Sequence, residues 1–305
     1  MNDGGSLDRM SCMEVWGGNV RTERRFRTPG LDIWITSQPE GHSRAGGDVY
    51  YTSSCASGRI TRLLLADVSG HGQLVAGVAE RLRDLMRDNV NTIGHRPFVS
   101  AMNRNFTDET EGCRFATAIV SSYFAPTRSL SICNAGHPPP LIFRAADQQW
   151  SVLDSSEAGQ RKSGEDVTNL PLGITPETSY SEHSLRLCKG DMILCYTDAF
   201  TEVKSPNGGM LGVGGLLEIV SSASTTSPEA ILACATATLR TYDQSDEHED
   251  DATLMLFRAN GQRSTLRDNV AAPFRLLGRA ADQSRILPVP VSNEAGSSEG
   301  AVQAT

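Results

Sequence analysis

Apolar positions along this chain follow two rhythms. Leu31-Asp32-Ile33-Trp34-Ile35-Thr36 alternates with the period of a strand. Asp48–Thr52 and Arg59–Asp67 are rich in β-branched, aromatic and leucine residues and flank Ser57-Gly58, so they read as a hairpin. After Gly72 the period changes. Leu74, Val75, Val78, Leu82, Leu85 and Met86 fall at helical spacing, which predicts an amphipathic helix from Gln73 to about Asn89. Gly94 and Pro97 interrupt it, and a second helix is predicted over about Pro97–Phe106.

Strand patterns resume at Phe115–Phe124, Ser129–Asn134 and Pro140–Arg144, then at Trp150–Leu153, Tyr180–Leu187 and Met192–Thr197. Helices are predicted at about Gly214–Ser222 and Pro228–Tyr242, the second with Ser227 as N-cap. Ala252–Arg258 reads as a last strand. Strands broken by paired helices indicate an α+β fold, with sheets packed together and helices outside.

The ends differ from this patterned region. Residues 1–28 are polar and gather Arg21, Arg24, Arg25 and Arg27, the composition of a solvated arm. Residues 29–258 carry the pattern of a folded domain, and residues 259–305 mix Gly, Ser, Pro, Ala and charge as a mostly disordered tail does, with a short helix near Phe274–Ala281. The 305 residues are 39% hydrophobic, enough for a substantial core, and carry a formal net charge of −8. That balance disfavours nucleic acid as a partner. No apolar run approaches the roughly 20 residues a membrane helix needs, and Met1–Glu14 lacks the apolar segment of a secretory signal, so no membrane association is expected. The seven cysteines form no CxxC pair and several sit in apolar runs, which suits buried reduced thiols in a cytoplasmic protein.

Candidate chemistry lies where acidic residues meet glycine turns: Gly46-Gly47-Asp48, Asp67-Val68-Ser69-Gly70-His71-Gly72, Asn134-Ala135-Gly136-His137-Pro138-Pro139, Tyr196-Thr197-Asp198 and Asp250-Asp251-Ala252-Thr253. Asp67 and Asp198 each follow an apolar run and so end a buried strand. Oxygen ligands delivered from several strand ends are how a β-scaffold builds a site for a hard cation, and phosphate is a natural substrate for such a cluster. A lone Asp beside Gly is more often a turn residue, so the weight rests on convergence. Asn134 and the prolines after His137 read as turn-shaping residues.

With these motifs in this order, and with Phe115-Ala116-Thr117-Ala118 and Leu170-Pro171-Leu172-Gly173 between them, the chain resembles the bacterial PPM-type serine/threonine phosphatases of the SpoIIE/RsbU group over about Leu31–Arg258. The resemblance implies a four-layer α-β-β-α sandwich of two antiparallel sheets with a site for two Mn²⁺ or Mg²⁺ ions at one end. Position by position, it implies Asp48 and Asp67 as the catalytic pair and as ligands of the first ion. Asp67 bridges to the second, joined by Asp198 and Asp250, with the Val68 carbonyl as a further ligand. Asp251 ranks behind Asp250, and His71 and His137 behind them all, with positioning or structural roles favoured for both histidines. A metal-bridged hydroxide would attack phosphorus in line. The implied substrate is phosphoserine or phosphothreonine on a signalling protein such as an anti-sigma-factor antagonist. A separate regulatory partner is expected to supply the input, and no further cofactor is implied.

One departure stands out. Ala199 follows Asp198 where the group usually carries Gly; a requirement for positive φ there would penalise alanine. Two rival readings remain open: an inactive PPM-like scaffold that binds phosphoprotein, and a different metallohydrolase such as a phosphodiesterase. The retained aspartates oppose the first. The six scattered histidines and the acidic balance oppose the second.

Overall fold

The computed structural model describes residues 8–9, 14–18, 21–39, 47–55, 58–70, 73–90, 92, 94–110, 114–153, 168–204, 208–223, 226–242 and 251–262. Its strands are β1 (Asp8–Arg9), β2 (Glu14–Gly17), β3 (Thr22–Thr28), β4 (Leu31–Gln38), β5 (Asp48–Cys55), β6 (Ile60–Val68), β7 (Ala116–Phe124), β8 (Ser129–Ala135), β9 (Leu141–Arg144), β10 (Gln149–Val152), β11 (Glu182–Arg186), β12 (Met192–Tyr196) and β13 (Ala252–Ala259). The helices are α1 (Gln73–Asp88), α2 (His95–Thr110), α3 (Ala199–Glu202), α4 (Gly212–Ser222) and α5 (Pro228–Tyr242). One sheet runs β1-β3-β4-β13-β12-β9-β10 and the other β11-β8-β7-β6-β5-β2. All pairings are antiparallel except β1 with β3.

The alternation within strands explains the layering. In β6, Leu63 and Leu65 face the other sheet, while Leu64, Ala66 and Val68 pack with Leu82 and Leu85 of α1 and Phe98 and Met102 of α2. In β12 and β13, Ile193, Cys195, Met255 and Phe257 face inward, and Leu194, Leu254 and Leu256 pack with Ile231 and Leu232 of α5 and Leu216 of α4. Central strands are thus apolar on both faces, because each sheet lies between its partner and a helical layer. Three apolar layers separate four layers of secondary structure, the α-β-β-α sandwich expected. Among the described residues no helix is long and apolar enough to cross a membrane.

The Arg-rich segment departs from its reading as an arm. Thr22–Thr28 pairs along its whole length with its hairpin partner β4, from Thr22↔Ser37 to Thr28↔Leu31. Only Phe26 and Thr28 are buried, so the strand lacks an apolar signal. Its arginines are held instead by carboxylates: Arg25 pairs with Glu229 at 2.6 Å and Arg27 with Asp32 at 2.6 Å. Charged strands of this kind suit the margin of a sheet. β2 is likewise integrated, with Glu14 bound to Arg87 of α1 and Trp16 beneath the Arg83 guanidinium at 4.5 Å. The final strand ends at Ala259, and the helix expected near Phe274–Ala281 lies outside the described residues.

Candidate metal centre

The rows of side chains that face between the sheets turn from apolar to polar at one end of the sandwich. In β4 the row Ile33, Ile35 continues to Ser37; in β6, Leu63 and Leu65 continue to Asp67; in β5, Tyr50 is preceded by Asp48. In β7 Ile119 is preceded by Thr117, in β12 Ile193 and Cys195 lead to Thr197, and in β13 Phe257 and Met255 are preceded by Thr253 and Asp251. Period-2 alternation alone therefore delivers three aspartates and four hydroxyls to one place.

Asp48 and Asp67 are direct cross-strand partners in the β5–β6 hairpin. Asp48 is 1% exposed. Burial first, and then the charges of Asp67 and Asp251, push its carboxyl well above the usual range, against the opposing pull of hydrogen bonds from Thr253 and Thr197. The Asp251 carboxylate accepts a hydrogen bond from the Gly47 amide, which ties the start of β13 to the turn before β5. Val68, at the end of β6, donates its amide to the Gly47 carbonyl at 3.1 Å. A Cβ on Gly47 would stand 2.8 Å from the Val68 carbonyl oxygen and 3.1 Å from Asp67 Oδ1. Glycine is required there by close approach. The opening beside Gly47 is bordered by two of the oxygens that the sequence resemblance implies as ligands.

Asp198 sits at the N-terminal end of α3, adjoining Thr197. Its carboxyl is also raised, by burial first and then by Glu202 one turn along. Its backbone is right-handed helical, with φ −62° and ψ −23°, and Ala199 begins the helix itself. A glycine is not needed after Asp198, which removes the objection raised by the departure at that position. His71 and Asp250 lie outside the described residues. Among the described residues no three His, Cys, Asp or Glu side chains are gathered tightly enough to ligate one ion together. The donor set that is described, carboxylates and a main-chain carbonyl, suits a hard divalent cation.

His137 is a tie between the sheets. Its Nε2–H donates to the Tyr196 carbonyl at 3.0 Å, and its Nδ1 accepts from the Thr117 hydroxyl at 2.8 Å. Burial holds its pKa down at about 4, so the neutral ring that this bonding requires is the form present. The Asn134 side chain closes the turn beneath it, accepting from the His137 amide and donating to the His137 carbonyl, both at 2.8 Å. Gly136, at φ +68°, lies where a Cβ would meet the Pro171 ring at 2.7 Å, so the loop before Pro138 stacks on the Leu170–Gly173 loop. That second loop is pinned by reciprocal backbone bonds between Ala116 and Leu172 and by Asn103, which accepts from the Gly173 amide at 3.0 Å. Ser69 is fixed to Phe115 through its hydroxyl at 2.9 Å. The motif loops therefore brace the strand ends that carry the aspartates. Thr197, Thr253 and Ser37 are the functional candidates that motif reading passed over; extending each inward-facing row by one step would have found them.

With the geometry in place, the comparisons identify the lineage. The family model described as Stage II sporulation protein E (SpoIIE) matches residues 57–260, and the chain belongs to that family of PPM-type phosphatases. It is 24% identical over 180 residues to the phosphoserine phosphatase RsbU of Bacillus subtilis (strain 168), covering 58% of this chain and 49% of that relative, so the chain spans about half of its length. The crystal structure of the RsbU and RsbW domains of a Mycobacterium tuberculosis protein matches with a TM-score of 0.60 and 26% identity over 83% of this chain and 68% of that one. RsbX in complex with magnesium matches with a TM-score of 0.55 and 16% identity over 78% of this chain and 100% of that one, a likeness of fold.

Proposed function

We propose that this chain is a divalent-metal-dependent phosphatase that hydrolyses phosphoserine or phosphothreonine on a signalling protein, with an anti-sigma-factor antagonist as the preferred substrate class. The observation that carries the reading is the Asp48–Asp67 pair, set face to face at the sandwich end with Asp251 close enough to repel Asp48. Crowded buried carboxylates are unfavourable alone and favourable around cations. Asp48, Asp67, the Val68 carbonyl, Asp198 and Asp250 are the residues we assign to hold two Mn²⁺ or Mg²⁺ ions, with Asp251 supporting through Gly47. When bound, such ions supply charge neutralisation at phosphate and acidify water. The chain's own contribution is to fix the carboxylates in place and keep Asp48 shielded from solvent. The family, the RsbU relative and the fold shared with magnesium-bound RsbX support this reading. We place the protein in the cytoplasm, in keeping with the unpaired thiols of Cys133, Cys188, Cys195 and Cys234, and expect a separate regulatory protein to supply the input.

The test is release of inorganic phosphate from a phosphoserine peptide with Mn²⁺ present, by the intact chain and by Asp67→Asn. The reading predicts turnover by the first and a loss of at least about 100-fold in the second. Equal rates reject the assigned site, and activity on a phosphodiester alone rejects the substrate class.

A further inference from the structure

Asp48 belongs to the six-stranded sheet, yet its carboxylate is held by residues of the other sheet. The Thr197 hydroxyl donates to Asp48 Oδ2 at 3.0 Å, and the Thr253 side chain makes a second hydrogen bond to the same carboxylate. Both threonines are fully buried. Their orientations are fixed in turn. Thr197 Oγ1 accepts from the Thr253 amide at 2.9 Å, and the Thr197 amide donates to the Thr253 carbonyl at 3.1 Å. Ser37 Oγ lies 2.9 Å from Thr253 Oγ1 and also reaches the Gly18 carbonyl at 3.3 Å.

Each hydroxyl has one proton to give. Thr197 offers its own to Asp48 Oδ2 at 3.0 Å, with the Asp251 carbonyl a longer alternative at 3.4 Å. Ser37 reaches both the Gly18 carbonyl and Thr253 Oγ1 and so braces the Thr253 side chain. The two threonine hydroxyls of one sheet therefore fix where the Asp48 carboxyl of the other points.

We infer that Thr197 and Thr253 are positioning residues for the metal centre, a pair of hydroxyls from one sheet that orient the Asp48 carboxyl of the other toward a divalent cation. The inference rests on the proposed metal-dependent reading and adds residues to it. It also gives the two threonines of the Tyr196-Thr197-Asp198 and Asp251-Ala252-Thr253 segments a role beyond strand formation.

The experiment measures Mn²⁺ affinity directly by calorimetry on wild type, Thr197→Val, Thr253→Val, Thr197→Ser and Thr253→Ser, each checked for folding by circular dichroism. Valine keeps the shape and removes the hydroxyl; serine keeps the hydroxyl. The expected result is Mn²⁺ binding about 10- to 100-fold weaker in each valine variant, the range seen when groups supporting a ligand are removed, and affinity within about 3-fold of wild type in each serine variant. Wild-type affinity in either folded valine variant overturns the assignment of that threonine while leaving the metal-dependent reading intact. A valine variant that fails to fold beside a serine variant of wild-type affinity and stability supports the hydroxyl as the required group. Weakened binding in a serine variant as large as in its valine counterpart shows that packing and not the hydroxyl matters, and also overturns it. Absence of Mn²⁺ binding by wild type sinks the inference together with the reading beneath it.

Discussion

Asp48 and Asp67 face each other across an antiparallel hairpin, an arrangement that places two like charges side by side. Directly opposed like charges destabilise a sheet by up to about 1 kcal/mol, and more where one is buried. The metal-free protein carries that strain. The raised carboxyl of Asp48 sets the sign of its pH response. The folded state keeps that proton above the unfolded value of 3.8, so the stability it contributes is present below that pH and is lost as pH rises.

Replacing Asp67 with Asn should therefore separate stability from metal binding. At pH 7 without metal, Asp67→Asn is expected to melt at or above the wild-type temperature, by about 2–4 °C if 1 kcal/mol is relieved. Saturating Mn²⁺ should raise wild type by an amount corresponding to about 2.7 kcal/mol at 100 times the dissociation constant and leave the variant nearly unmoved. Equal metal-induced shifts in thermal scans would contradict the account.

Ala199→Gly tests the backbone at Asp198. Ala199 opens a right-handed helical turn, so the glycine usual in the group should lower stability by roughly 0.5–1 kcal/mol. A denaturant midpoint above wild type at unchanged slope would show that the position favours a glycine-only conformation.

A second pH response comes from His95, far from the aspartates. Its Nε2–H donates to the Val120 carbonyl at 3.1 Å, and its Nδ1 accepts from Ser122 Oγ at 2.9 Å, which Arg62 also contacts at 2.9 Å. Burial first, with help from the Arg62 charge and against Glu182, lowers its pKa from 6.5 to about 4. The folded pKa lies below the unfolded one. Between pH 4 and 6.5 the unfolded chain binds the extra proton, and stability rises with pH across that window. The unfolding free energy of wild type relative to His95→Asn should grow by about 3 kcal/mol from pH 4 to pH 7, measured by urea titration at each pH. A constant difference would show that the ring titrates normally.

Much of this architecture was legible before any coordinates. The hairpin of β5 and β6, the switch to helix at Gln73 and the closing strand β13 each carried a clean periodicity, because each buries a defined face. What escaped had no such signal. β3 contributes a single large apolar residue, Phe26, and is held by arginine–carboxylate pairs, one of them with Glu229, which is distant in sequence. α3 is one turn long, too short for a helical period. At the site, Asp48 and Asp67 were found because glycine turns flag them. The two threonines were not, because a hydroxyl in a β-strand reads as ordinary strand composition. Asp251, ranked behind Asp250 in sequence, continues the inward row of Thr253 and Met255 and bonds Gly47, while Asp250 lies outside the described residues.

The central claim is that the aspartates at this end of the sandwich bind divalent metal. Crystals grown with Mn²⁺ and measured at the manganese absorption edge test it most directly. The account predicts anomalous peaks with carboxylate oxygens of Asp48 and Asp67 within about 2.0–2.6 Å. No peak there, or manganese bound only elsewhere on the surface, would contradict it.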